Sequence, residues 1–257
     1  MSRRYSFSYQ CIERYNVMVR DYHFLLRCRP HEAPFQHCEQ NSLRLLTGVK
    51  VNTAYDTFGN AIHYGSFEEE HDLFVISMSG IVMCDEYQIK ESNPEPIYLN
   101  QSHFTQASGE IAKLSQSVGL FSSDLEVALQ LMGVLYSRIE YRAGATTVNT
   151  TAAMALELGA GVCQDLSHLL LSMCRFRGIR ARYVMGYVIG EGETHAWVEI
   201  WSDGIWYGVD PTHNILIDSG YIKVAHGRDA ADCSIVRGMR RGVSEAQTQV
   251  RVVVEEI

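Results

Sequence analysis

The chain has 257 residues, 46% of them apolar and 20% charged, with a formal net charge of -8. That length suits one large domain or two modest ones with cores of their own, and no apolar run approaches a membrane span, so a soluble globular protein is expected. The acidic balance, without clustered Lys and Arg, argues against a generic nucleic-acid binder, because phosphate binding relies on such clusters.

Near the N-terminus, basic Arg3 and Arg4 are followed by tyrosines, serines and Gln10 rather than by the unbroken apolar run of a signal peptide, so a cytoplasmic protein is expected. Seven scattered cysteines, an odd number, then read as reduced thiols, which leaves at least one free for chemistry. From Tyr5 to about Ile89 the pattern favours strands. Runs such as Phe74-Val75-Ile76-Ser77-Met78 and Ile81-Val82-Met83 are broken by turn signals at Phe58-Gly59-Asn60 and Ser79-Gly80. Residues 1–90 are therefore expected to form an N-terminal β-sandwich. Residues 91–109 are polar, contain Pro94 and Pro96, and read as a linker before a second domain over residues 110–257.

There the period changes. Ser123 and Glu126 have capping-box spacing, and Leu125, Leu129, Met132, Tyr136 and Ile139 recur at helical intervals. A shorter helix is predicted over residues 151–158, stopped by Gly159, and a third from Cys163, stopped by Gly178. Cys163 therefore stands at a helix N-terminus, where unpaired N–H groups and the helix dipole favour a thiolate, and the glycines at 159 and 161 let backbone approach closely. A lone cysteine there is more often structural than reactive. Strand-like runs follow at residues 181–189, 194–201 and 205–209, the last two joined through the hairpin signal Asp203-Gly204, and another covers residues 248–255.

Along Thr194-His195-Ala196-Trp197-Val198-Glu199-Ile200, strand alternation puts His195, Trp197 and Glu199 on the face opposite the apolar one. A two-residue turn at Asp203-Gly204 sets Trp197 opposite Asp210, with His195 its diagonal neighbour. A four-residue turn sets His195 directly opposite Asp210, and a three-residue turn puts them on opposite faces. Direct cross-strand neighbours are about 5 Å apart and diagonal ones about 7–8 Å, so the first two leave the carboxylate within reach. A histidine so held can take a thiol proton and return it to a leaving amine. The Cys163 N–H is one candidate oxyanion donor, and Tyr141 and Gln164 are alternatives for the second.

Taken together, Gly161-Val162-Cys163-Gln164-Asp165, Arg177-Gly178-Ile179-Arg180-Ala181-Arg182, His195-Ala196-Trp197-Val198-Glu199 and Trp206-Tyr207-Gly208-Val209-Asp210-Pro211-Thr212 resemble the core of the transglutaminase-like superfamily. Asp56-Thr57-Phe58-Gly59-Asn60 and His71-Asp72-Leu73-Phe74-Val75 look like the β-rich domain preceding that core in bacterial transglutaminase-like cysteine proteases, and Gly227-Arg228-Asp229-Ala230-Ala231-Asp232 extends the likeness. Cys233-Ser234 departs from the apolar-proline pair of that pattern. The resemblance implies a papain-like core with Cys163 as nucleophile, His195 as base and Asp210 as its orienter.

Other chemistry-bearing residues have simpler readings. Cys174 falls on the apolar stripe with Leu166, Leu170 and Met173, His168 on a solvated face, and Asp165 in the first helical turn complements the dipole. Trp197 and Trp206 pack, or shield the ion pair. His195, His213 and His226 with Asp210 lack any metal-ligand spacing, and no phosphate loop appears, so neither metal nor organic cofactor is expected. The expectation is an α+β protein, a β-sandwich followed by a papain-like, transglutaminase-like core with a helix bundle against an antiparallel sheet. It would hydrolyse a peptide or protein amide, with transamidation, a small-peptide amidase activity or a non-catalytic scaffold as alternatives.

Overall fold

The computed structural model describes residues 2–46, 49–119 and 121–257; Met1, where the expected N-terminal domain starts, lies outside them. The N-terminal strands are β1 (Arg3–Leu26), β2 (Gln36–Leu45), β3 (Asn52–Tyr55), β4 (Ala61–Phe67), β5 (His71–Cys84) and β6 (Gln88–Lys90). Next come α1 (Gly109–Gln116), α2 (Asp124–Arg138), β7 (Glu140–Tyr141), α3 (Ala152–Leu158), β8 (Ala160–Gly161) and α4 (Cys163–Phe176). The remainder is β9 (Ala181–Val188), β10 (Gly190–Gly192), β11 (His195–Ser202), β12 (Ile205–Asp210), β13 (Ile215–Leu216), β14 (Tyr221–Gly227), α5 (Ala230–Cys233), β15 (Val236–Arg241) and β16 (Ala246–Glu256).

β1 organises the first half. Tyr5, Phe7, Tyr9 and Cys11 alternate inward with the period of a strand. Its first part lies between β5 and β16 and its second between β4 and β15, with irregular register between Arg14 and Val19 and a positive φ of 50° at Asp21. The expected sandwich is therefore corrected to one eight-stranded antiparallel sheet that bends along β1, because a strand this long changes partners midway. The expected turn at Ser79-Gly80 is absent as well, since β5 runs straight through it. Gly80 is there for close approach: a Cβ would sit 2.0 Å from the Gln40 carbonyl oxygen. At Phe58-Gly59-Asn60 the chain does turn, with φ 77° at Gly59.

The second sheet runs β13-β12-β11-β9-β14, with β6 beside β12. The helices are few and do not make a regular bundle. α1, α2 and α3 each touch α4, while α4 and α2 touch β11. The buried face of α2 is Val127, Ala128, Leu131, Met132 and Leu135, displaced from the expected stripe, and Tyr136 is exposed. One face of β11, Ala196, Val198 and Ile200, joins the core that also holds α4, and the other carries Trp197 into a second cluster with Tyr87, Trp206 and Tyr221.

β16, grouped with the core in the sequence reading, pairs instead with β1, from Tyr5 opposite Glu256 to Tyr15 opposite Ala246. Tyr187 of β9 stacks on Phe7 and Tyr9 of β1, so one apolar core runs through both sheets. Among the described residues no helix is long and apolar enough to cross a membrane.

Candidate active site

The start of α4 is built by its own sequence. Val162 N–H and the Thr146 hydroxyl both donate to Asp165 Oδ2, at 2.8 and 2.6 Å, so the Asp165 carboxylate turns back to cap the helix. Gly161 makes room for it, since a Cβ there would stand 2.6 Å from Asp165 Cβ. The short parallel pair β7–β8 sets Tyr141 opposite Gly161, and Arg142 N–H donates to the Gly161 carbonyl. Gly159 ends α3 with φ 66°, as its sequence position predicts. Cys163 is thereby fixed as the first residue of a helix whose opening N–H groups face outward.

All seven cysteines are free, and six are buried; Cys163 alone is partly exposed. Burial pushes the thiols of Cys28, Cys84 and Cys174 up to about 12 and raises Cys233 well above its ordinary value, which suits inert packing. Cys163 and His195 line two adjoining cavities, of about 880 and 660 Å³. Tyr141, Thr147, Glu191 and His213 wall the first. The second lies against β1 and β16, through Tyr9, Glu13, Thr248 and Val250.

His195 is held by the hairpin. Asp203 and Gly204, with φ 51° and 85°, form a two-residue turn that pairs Ser202 with Ile205 and Val198 with Val209. Of the registers open from sequence this is the diagonal one, and His195 Nε2 lies 2.8 Å from Asp210 Oδ2. The Asp210 side chain is fully buried. Its Oδ2 also accepts from Tyr221 Oη and His213 Nδ1, each at 2.7 Å, and its Oδ1 from Thr212 N–H. Burial alone would raise the Asp210 pKa, but these donors, His195 first, hold it well below the usual range. Burial likewise opposes a charged His195. The hydrogen bond to Asp210 outweighs it, joined by one from Cys163, and lifts His195 to about 9.

Trp197, one pleat along, is fully buried and stacks with the His195 ring at 6.3 Å; its indole N–H donates to Tyr87 Oη, which donates to Glu199. Glu199 also accepts from Arg182 Nε and from buried Lys223. This polar core under β11 is not legible in the sequence because Lys223 on β14 and Tyr87 just before β6 reach it from distant segments of the chain. Tyr221 is not legible for the same reason, whereas His213, three residues past Asp210 in a turn, carries a local signal.

His168 is buried rather than solvated: its Nε2 accepts from Ala230 N–H, Phe104 stacks on it, and burial lowers its pKa to about 3. Cys174 is in the core, and the Gln164 amide reaches the Val148 carbonyl at 3.4 Å. His226 lies apart, packed edge-on against His31. His195, Asp210 and His213 do offer three ligand atoms within 4.8 Å of one another, but both imidazoles bond directly to the one carboxylate oxygen, which accounts for their closeness.

Residues 112–211 match the Transglutaminase-like superfamily, and residues 5–83 the Bacterial transglutaminase-like N-terminal region. Across 100% of this chain and 91% of the other, the fold superposes with TM-score 0.83 and 22% identity on the crystal structure named "a Putative Cysteine Protease from Cytophaga hutchinsonii". At that identity the likeness is one of fold. An uncharacterized protein of Mycobacterium leprae is 40% identical over 129 residues, 46% of this chain and 45% of its own length. One of Mycobacterium tuberculosis is 37% identical over 131 residues, 45% and 42% of the two. The chain thus spans less than half the length of these relatives.

Proposed function

Because the chain belongs to the transglutaminase-like superfamily, we propose that it is a cysteine-nucleophile amide-bond hydrolase with Cys163, His195 and Asp210 as its catalytic triad. The observation that carries this is that the single accessible cysteine of seven opens a helix and shares its cleft with a histidine bonded to a buried carboxylate. No other cysteine has access, a base or a polarising helix start together.

His195 donates through Nε2 to Asp210, which leaves Nδ1 to receive the Cys163 proton. The thiolate adds to an amide carbonyl carbon of a peptide or protein; a C–S bond forms and the carbonyl π pair moves to oxygen. When that pair returns, the C–N bond breaks, and the imidazolium gives its proton to the departing nitrogen, releasing an amine and leaving a thioester. Water then adds to the thioester, giving its proton to His195. Collapse of the second tetrahedral intermediate breaks the C–S bond, expels the thiolate and frees the acid. An amine in place of water would give transamidation with the same residues.

The test is the pH-dependent rate of iodoacetamide alkylation at Cys163, mapped by peptide mass, in wild type and His195→Ala. Selective reaction with an apparent pKa below the free thiol value of about 8.5, lost in the variant, supports the triad. Reaction no faster than at Cys174 or Cys233, unchanged in the variant, leaves a non-catalytic scaffold. Product analysis of an isopeptide substrate with and without added primary amine then separates hydrolysis from transamidation.

A further inference from the structure

On the second part of β1, Tyr22, Phe24 and Leu26 turn into the core, so strand alternation leaves His23 and Leu25 on the opposite face. Leu25 is flanked there by Tyr64 of β4 and Arg237 of β15, and His23 by Met239. With Lys50 these residues line an open cavity of about 870 Å³ that does not include Cys163. Tyr64 is 44% and Met239 75% exposed, so this sheet face holds large apolar side chains open to solvent, as interaction surfaces do. Among the described residues no carboxylate lines it, although the chain as a whole carries a net charge of -8. Its two cations are not neutralised from nearby. Lys50 makes no salt bridge among the described residues, and Arg237 donates to the Ala231 carbonyl, while Asp232, which feels the Arg237 charge, is held by Arg228 at 2.8 and 3.0 Å. The face is also continuous with the reaction cleft. Val236 and Arg237 line both this cavity and the second cavity beside Cys163 and His195, so β15 leads from one to the other.

We propose that this face is a docking surface for a polypeptide substrate, and that it takes an extended segment of acidic and apolar residues lying several positions from the amide attacked by Cys163. The inference rests on Cys163 as nucleophile. Lys50 and Arg237 attract the carboxylates of the segment, and Leu25, Tyr64 and Met239 give its apolar side chains a surface to cover. The acidic residues belong at a distance, because Glu13 and Glu193 in the second cavity repel a carboxylate nearer the reacting carbonyl. Contacts so far from the chemistry hold substrate and transition state alike, so the surface acts on KM rather than on kcat. A small-peptide amide would leave it empty.

Affinity labelling of Cys163 tests this without a known substrate. Peptides of about ten residues, reaching about 33 Å when extended, carry an iodoacetyl group at one end or the other, then three glycines, then Leu and Phe alternating with either Glu or Lys. Labelling by each is divided by iodoacetamide labelling of the same protein, so that a general change in thiol reactivity cancels. In wild type the acidic probe should label Cys163 at least tenfold faster than the basic one, with a rate that saturates, and salt at about 0.5 M should shrink the difference. In Lys50→Glu combined with Arg237→Glu the order of the two probes should reverse. Lys50→Glu alone should cut the preference at least threefold, which covers the case in which the Arg237 change disturbs α5. Equal labelling by the two probes in wild type, or an acidic preference that survives both variants, overturns the proposal. So does a wild-type dimer in sedimentation that Lys50→Glu dissolves, which gives the face to a second copy of the chain. If iodoacetamide itself does not label Cys163 selectively, the triad reading fails first and takes this one with it; selective labelling with no preference between the probes defeats the docking surface alone.

Discussion

His195 and Asp210 meet on a hairpin diagonal, with Nε2 and Oδ2 2.8 Å apart, although the register places Trp197 opposite the carboxylate. Asp210→Asn preserves the shape but lets the amide present an N–H where the imidazole needs an acceptor. Cys163 alkylation at pH 7 is expected to fall roughly 10²-fold or more while the circular dichroism spectrum is unchanged. A variant that alkylates at the wild-type rate would remove Asp210 from the proposed triad.

The same pair makes stability depend on pH. His195, lifted from 6.5 to about 9, adds stability that is complete below about pH 6.5 and is lost as pH rises through about 9. Asp210, held low, adds stability that is present above its ordinary value of 3.8 and is lost as pH falls towards its folded value. Urea midpoints should therefore decline between about pH 6.5 and 9 in wild type, with a shallower slope in His195→Ala. Matching alkaline slopes would mean that His195 is not the group responsible.

Glu199 sits between two buried cations, with Lys223 Nζ 2.8 Å from both carboxylate oxygens and Arg182 bonded to one of them. Glu199→Gln strands Lys223 and leaves Arg182 with Glu91, 3.8 Å away, as its remaining carboxylate, and is expected to cost about 3–5 kcal/mol. Lys223→Met leaves Glu199 paired with Arg182 and should cost less. Chemical denaturation of the two variants checks the order, and a larger loss in Lys223→Met would contradict this account of the cluster.

Gly161 leaves the space that the Asp165 side chain fills at the helix start. In Gly161→Ala the new Cβ meets the Asp165 side chain at 2.6 Å, so the cap on Val162 N–H must shift and Cys163 with it. A loss of about 1–3 kcal/mol is expected, with Cys163 alkylation slowed at least tenfold. Crystals showing Asp165 and Cys163 unmoved, with wild-type alkylation, would count against this reading of Gly161.

Elements governed by local chemistry were legible in the sequence. α4 begins at Cys163, Gly159 and Gly178 hold the left-handed ends, and Asp203-Gly204 makes the two-residue turn that fixes the hairpin register. What failed depends on distant partners. Gly80 resembles a turn until Gln40 is seen against it, and His168 resembles a solvated residue until Phe104 and α5 cover it. α1, capped by Ser108, was overlooked because a polar, proline-bearing stretch leads into a helix of only eight residues. In the site, the Cys163, His195 and Asp210 positions could be read from motif spacing. The other donors to Asp210 could not, since Tyr221 arrives through the pairing of β14 with β9.

The pairing of β16 with β1 turns the chain into a drawstring. Residues from both ends, Tyr9 and Glu13 from one and Thr248 and Val250 from the other, form one bank of the channel beside Cys163. A fragment cut to residues 112–211 would keep Cys163, His195 and Asp210 yet lose that bank. A fragment that kept β16 without β1 would bare an eleven-residue strand edge, a template for self-association. That wall of the second cavity stands only while β1 and β16 stay paired, whereas the first cavity has no residue from either strand.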